Sequence, residues 1–290
     1  MKLRKGISIY NQLPEGYDSV TINSGTVFHT EQPAPMVNYN GYKYRPVYED
    51  DAYVVKRDWR SLATDEIKYL QANGYRNDYN TVYLGELPEQ LKDDFQRLDL
   101  ATATTRDEVM EKLKQSPEST KKLNASITSF LQPLADNKPF HFHCLGINFP
   151  NIEMVACNTT GLPENHHPKD VQYMGLHNDG TAKMTIHTAH KFGNRISINL
   201  GKENRSFFFV NLGMIQALNM LKKKMDIKKV DITNIPQMFF KHYPDYPVIR
   251  VQQKPYQYYI AATDNCFHDG STLGSSTLDI CFVYFGAFRC

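Results

Sequence analysis

Apolar residues recur along this 290-residue chain with two different periods, and the change falls near residue 140. Before it the spacing is mostly helical. Thr64 stands where an N-cap is wanted for a short helix carrying Ile67 and Leu70, with Gly74 as its stop. Pro88 opens a second helix whose Leu91, Phe95 and Leu98 fall at i, i+4 and i+7 on one face. A third, near 107–115, carries Val109, Met110 and Leu113, and a fourth follows Pro117 with Leu123, Ile127, Phe130 and Leu131 before Pro133. The first sixty residues are rich in Tyr, Pro, Asn and Val and show little helical pattern. They predict strands and loops laid over a core formed later in the chain.

From Phe140 the period is two. Short strands are expected over 140–149, 184–190, 195–200, 206–210, 248–252, 256–262 and 277–288. One helical insertion, about 214–225, interrupts them with Ile215, Leu218 and Leu221 on one side. Helices followed by many short strands predict an α+β chain whose helices pack outside a closed or sandwiched sheet. There is no internal repeat, low-complexity tract or linker. The expectation is therefore one domain over 1–290, with 1–135 packed on a core formed by 136–290.

Composition changes this picture little. Hydrophobic residues make up 41% of the chain, with 18 Tyr and 16 Phe, enough to bury a core without disulfides or structural metal. Thirty-three basic against 31 acidic residues leave a net charge of +2, which gives no reason to expect nucleic acid or an anionic membrane as partner. The basic opening Met1-Lys2-Leu3-Arg4-Lys5 is not followed by an apolar stretch, so it does not read as a secretory signal. No window approaches the roughly 20 apolar residues of a membrane span. A cytoplasmic protein with a small-molecule partner is expected; oligomeric state is not legible. Cys144, Cys157, Cys266, Cys281 and Cys290 form no CxxC pair, which speaks against a disulfide framework and a thiolate zinc site.

Candidate chemistry concentrates in two segments. Gly175-Leu176-His177-Asn178-Asp179-Gly180-Thr181 holds a His-x-Asp pair, and Asp264-Asn265-Cys266-Phe267-His268-Asp269-Gly270-Ser271 holds a second histidine before a strand. On extended chain, residues i and i+2 share a face, so His177 and Asp179 can converge on one ion. His268 from another strand would complete one face of an octahedron and leave three cis positions open. That ligand set suits a ferrous centre binding substrate and oxygen side by side. The bland alternative is a hydrogen-bonded surface turn at His177 and Asp179, with His268 capping a loop. A separate signal lies in 195–200: Arg195, Ser197 and Asn199 alternate with Ile196, Ile198 and Leu200. In a barrel with a polar site inside, the first set looks inward and the second packs under helices.

Together these residues resemble the HxD…H facial triad of the iron(II)/2-oxoglutarate-dependent dioxygenases, over about 140–288. The first 135 or so residues resemble no particular member. The resemblance implies a double-stranded β-helix, or jelly-roll, core with flanking helices and the triad at its open mouth. It implies iron(II), 2-oxoglutarate and O2 as cofactor and co-substrates, with hydroxylation of an unactivated C–H bond of a small molecule such as a free amino acid or natural-product intermediate. Asp179, a carboxylate where the related halogenases carry a small residue, resembles the hydroxylases. Members commonly place an arginine about ten residues beyond the last histidine to pair with the far carboxylate of 2-oxoglutarate, since its planar fork makes two parallel bonds. Residues 273–279 hold no basic side chain here; Arg195 and Arg289 are the two positions that could replace it, Arg195 the better placed, and the alternative for either is a solvated charge. Desaturation or cyclisation by the same centre, a zinc-dependent cupin-like hydrolase or isomerase, and a non-catalytic jelly-roll binding module remain alternatives.

Other features are weaker. His141 and His143 share one strand parity and could make a cupin-like pair, though no carboxylate completes it. Pro163-Glu164-Asn165-His166-His167-Pro168 has the composition of a functional loop over the mouth. His187 and His190 are candidates for outer partners of a metal. Lys222-Lys223-Lys224 with Lys228-Lys229 reads as the wet face of the inserted helix. No phosphate loop, dinucleotide fingerprint or Gly-x-Ser-x-Gly elbow is present.

Overall fold

Two facing sheets carry the alternating half of the chain in the computed structural model, which describes residues 1–72, 80–115, 117–163, 166–181 and 183–289. Eleven strands build these two sheets: β1 (Ser8–Asn11), β2 (Val20–Ile22), β3 (Arg60–Ser61), β4 (Thr81–Glu86), β5 (His141–Asn148), β6 (Asn194–Asn199), β7 (Arg205–Phe209), β8 (Ile249–Gln253), β9 (Gln257–Ala261), β10 (His268–Ser271) and β11 (Asp279–Gly286). The larger sheet has the order β1-β4-β9-β6-β11-β5, and the smaller β10-β7-β8-β2-β3. All these pairings are antiparallel except β1 with β4.

Alternation decides which face each residue serves. On the larger sheet Ile196, Ile198, Tyr258, Ile260, Ile280, Phe282 and Tyr284 form one buried cluster with Leu91, Phe95, Val109, Leu123, Ile127 and Leu131. Those last residues lie on or beside α2 (Glu89–Gln96), α3 (Arg106–Gln115) and α4 (Pro117–Leu134). The opposite face meets the smaller sheet. There Leu84, Tyr259 and Ala261 pack with Phe207, Phe209, Ile249 and Val251, and the Phe207 and Tyr259 rings stack with centroids 3.8 Å apart. Each large apolar side chain removed from water contributes roughly 1.5–3 kcal/mol. Phe208, of opposite parity, faces out into a third cluster with Met214, Leu218, Phe239 and Phe240 from α5 (Met214–Leu221) and α6 (Ile235–His242).

The helices expected at 88–98, 107–115 and from Pro117 are present, as are the strands at 140–149, 195–200, 206–210, 248–252, 256–262 and 277–288, with no end displaced by more than two residues. Other expectations need correction. Thr64 is the first residue of α1 (Thr64–Leu70) rather than its cap, and the helix ends before Gly74, which lies outside the described residues, as do Cys290, Glu164 and Asn165. Pro133 sits within the last turn of α4 instead of after it. Residues 184–190 form no strand: Thr188 closes a turn back onto Thr185, whose amide donates to the Thr188 hydroxyl at 2.9 Å, and a 3-10 turn Ala189–Lys191 follows. The helical insertion is two helices, α5 ending at Leu221 and α6 beyond it. The N-terminal strands do more than cover the core, because β1 and β4 extend the larger sheet while β2 and β3 extend the smaller. Among the described residues, no helix is long and apolar enough to cross a membrane.

Candidate metal centre

A single pair of opposed residues builds the centre of the site. His177 and His268 form an isolated antiparallel bridge, in which the His177 amide donates to the His268 carbonyl at 3.2 Å and the His268 amide donates back at 2.8 Å. Directly opposed residues on an antiparallel ladder present their side chains to the same face. The two imidazoles accordingly lie with ring centroids 4.6 Å apart. Two residues on, the Asp179 amide donates to the Thr263 carbonyl at 3.2 Å, which keeps Asp179 on the face His177 occupies. The chain reaches this position through Gly175, whose φ is +72° and where a Cβ would stand 2.5 Å from the Tyr53 carbonyl oxygen. Only glycine is comfortable there.

The donor atoms converge. His177 Nε2 is 3.4 Å from Asp179 Oδ1, and His268 Nε2 is 3.5 Å from Asp179 Oδ2. One ligand atom from each of the three residues lies within 4.8 Å of the others, and among the described residues no other group of His, Cys, Asp or Glu does this. Three mutually cis donors about 2.1 Å from one ion stand about 3 Å apart, so a modest contraction fits them to a divalent cation. Each ring is also oriented for the task. His177 Nδ1 lies 3.0 Å from the Gly175 carbonyl oxygen and His268 Nδ1 3.3 Å from that of Cys266, so Nδ1 donates and Nε2 is turned toward Asp179, where a cation would take the place of any proton it carries.

Electrostatics favour positive charge at this point. Burial alone would push the His177 imidazole down, but Asp179 against it and Asp269 beside it raise it to about 9. Burial works against ionised Asp179 too, yet His268, His177 and Arg195 hold it well below the usual carboxylate range. Arg195 reaches Asp179 Oδ2 at 3.3 Å and Asp264 Oδ1 at 3.1 Å, donates to the Thr263 hydroxyl at 2.5 Å, and lies 5.1 Å over the Phe285 ring. Deeper between the sheets, buried Arg205 pairs with Asp279 at 3.1 Å and donates to the Ser197 hydroxyl at 2.9 Å. Asp179 and Asp264 thus face Arg195, Asp279 faces Arg205, and Asp269 stands beside His177.

The other sequence candidates fall elsewhere. Arg289 pairs with Asp136 at 2.6 Å, against the end of α4. The His141 and His143 pair is split by a bulge between Phe142 and Cys144, which leaves His143 as the extra residue and puts Cys144 in phase with His141. His187 is exposed, and His190 lines a surface hollow of about 470 Å³ with Lys5, Gln216 and Asn265. His167 accepts the Lys169 amide and caps a short 3-10 turn. Arg195, Ser197 and Asn199 do face the interior, and their neighbours Ile196 and Ile198 pack under the helices. The sequence offers Asp264 and Asp269 as polar contacts for a substrate, not as partners of Arg195 and His177, and it gives Arg205 no role. The inward parity of Arg205 with Phe207 and Phe209 was the available signal.

No protein-family model matches the chain, and no curated protein matches it. Among solved structures it is similar to the Kdo hydroxylase KdoO, a non-heme Fe(II) alphaketoglutarate dependent dioxygenase. The complex with cobalt(II) aligns at TM-score 0.37 and 12% identity, over 71% of this chain and 79% of that one. The apo form aligns at 0.36 and 14% over the same shares, and the complex with succinate and Fe(III) at 0.35 and 13%, over 71% and 78%. Likeness at this distance assigns neither fold nor activity, and the site stands on its own geometry.

Proposed function

We propose that this chain is a non-haem iron(II)- and 2-oxoglutarate-dependent oxygenase that hydroxylates a small molecule on a double-stranded β-helix core. The observation that carries the proposal is the convergence of two imidazole Nε2 atoms and one carboxylate, with both Nδ1 atoms tied to backbone carbonyls. Strand order supports the core. β5, β11, β6 and β9 are neighbours in one sheet, while the His177 stretch, β10, β7 and β8 are neighbours in the other, so the chain winds between two facing sheets. In this reading 1–135 and 136–290 fold as one unit, because N-terminal strands join both sheets.

Iron(II) bound by His177, Asp179 and His268 would supply oxygen activation coupled to oxidative decarboxylation of 2-oxoglutarate to succinate. The chain's own part is geometry and charge. The Gly175 and Cys266 carbonyls select the imidazole tautomers, Arg195 holds Asp179, and the stacked Phe207 and Tyr259 rings close the interior on one side. Asp179 is 28% exposed while both imidazoles are under 10%, so substrate and co-substrate would approach from the carboxylate side. The exposed start of β5, at His141 to Cys144, is the rim there: Cys144 lies in phase with Val283 on the face that carries Arg195. For the far carboxylate of 2-oxoglutarate the interior offers Arg195 and Arg205, and Arg289 is withdrawn to Asp136. The test is succinate release from 2-oxoglutarate by the iron-loaded protein in air. The proposal expects release in the wild type and none in His177→Ala or Asp179→Ala, and retained release in either variant contradicts it.

A further inference from the structure

Asp269 follows His268 on β10, is 1% exposed, and divides its two carboxylate oxygens between different tasks. Oδ1 accepts the backbone N–H groups of Val155 at 3.2 Å, Ala156 at 2.9 Å and Gly270 at 2.6 Å, which pins the loop after β5 to β10. Oδ2 has no hydrogen-bond partner among the described residues and stands 3.9 Å from His177 Nδ1. A buried carboxylate oxygen is not left bare at random, since it forgoes its hydration without replacement. The ring N–H beside it is that of His177, which goes to the Gly175 carbonyl at 3.0 Å. Among the described residues, His268 Nδ1 has no such carboxylate beside it and makes one longer contact, 3.3 Å to the Cys266 carbonyl.

We infer that Asp269 is a positioning residue of the metal centre, whose Oδ2 shares the His177 Nδ1 proton and so strengthens His177 as a ligand. The inference rests on the metal reading of His177, Asp179 and His268. A cation on Nε2 withdraws electron density from the ring and makes Nδ1–H a stronger donor. A carboxylate facing that proton returns the density and fixes the ring's rotation about its Cβ. The bridge to His268 and the N–H bonds to Oδ1 hold Asp269 and His177 together, so a small shift closes the contact. The two imidazoles are then unequal ligands, His177 backed by a carboxylate and His268 by a carbonyl alone.

The competing role is a loop staple, acting through Oδ1 only. Asp269→Asn separates the two, because the amide oxygen keeps accepting from Val155 and Ala156 while the charge facing His177 is lost. Wild type and variant are titrated anaerobically with cobalt(II), followed by its visible absorption, and the metal-free proteins are melted alongside. The inference expects cobalt affinity to fall about 10- to 100-fold in Asp269→Asn while the metal-free variant still melts as a cooperatively folded protein. Binding as tight as wild type overturns it. His177→Ala is the control on the underlying reading: if that variant binds cobalt as the wild type does, the metal centre itself is wrong and this inference falls with it. Should Asp269→Asn fail to fold, the zinc-loaded wild type decides by nuclear magnetic resonance. The His177 ring N–H proton is expected well downfield of the His268 one, and coincident positions overturn the inference.

Discussion

The space between the two sheets has two halves built on the same alternation, and they solve the problem of burial in opposite ways. In the half bounded by β1, β2, β4 and β8, inward positions are Ile9, Val20, Leu84, Ile249 and Val251, closed by the stacked Phe207 and Tyr259 rings. These aliphatic side chains are all apolar and need no partner. In the half bounded by β5, β6, β10 and β11, inward positions are His268, Arg195, Ser197, Cys281 and Asp279, joined by His177 and Asp179. Every charged group in that half must find an opposite charge or a hydrogen bond, because an unpaired buried ion is far more costly than the pair is stabilising. Arg205 finds Asp279, and Arg195 finds Asp264. The two Nε2 atoms and the Asp179 carboxylate instead converge on one point, so the apolar half sets the frame and the polar half gathers the ligand atoms.

Substitutions that cross this division have graded consequences. The largest is loss of function in the polar half: Asp179→Ala or His177→Ala abolishes iron-dependent succinate release while the metal-free protein still folds. Next comes Arg205→Met, which strands Asp279 and is expected to cost about 3–5 kcal/mol in denaturant unfolding. The double variant Arg205→Met with Asp279→Leu recovers most of that, and an equal loss in the double variant contradicts the pairing argument. Leu84→Ala in the apolar half is expected to cost about 2–5 kcal/mol, with cobalt affinity unchanged in the protein that remains folded. A matching loss of metal affinity would show that the two halves are not separable. Smallest is Lys223→Gln on the exposed turn after α5, expected to move stability by less than about 0.5 kcal/mol and metal binding not at all.

The same division governs what could be read from the sequence. Residues 195–200 announced both faces, since Arg195, Ser197 and Asn199 have one parity and Ile196, Ile198 and Leu200 the other. The His-x-Asp spacing and a remote histidine pointed to the three donors before any pairing was known. What sequence could not give was register. The opposition of His177 and His268 joins segments ninety-one positions apart, and no local pattern encodes it. Residues 184–190 alternate like a strand, but Thr185 and Thr188 bond each other and turn the chain. The bulge at His143 is likewise invisible in composition, and it alone undoes the pairing of His141 with His143. Arg289 was a candidate anchor by parity with Phe285, but β11 ends at Gly286 and the parity with it. Asp269 reads from the sequence as a polar contact for a substrate, because its place beside His177 depends on a ring brought to it by another strand. Helix α6 was missed because Pro236, at its first turn, reads as a breaker in a short apolar run.

The central claim is that His177, Asp179 and His268 hold iron(II) with open positions that 2-oxoglutarate can chelate. Anaerobic titration of the metal-free protein with ferrous iron and then 2-oxoglutarate, followed by visible absorption, tests it most directly. A weak metal-to-ligand charge-transfer band that appears only when both are present, and is absent in Asp179→Ala, is the predicted result. Stoichiometric iron binding with no band on adding 2-oxoglutarate would contradict it, and would point instead to a metal site that does not take this co-substrate.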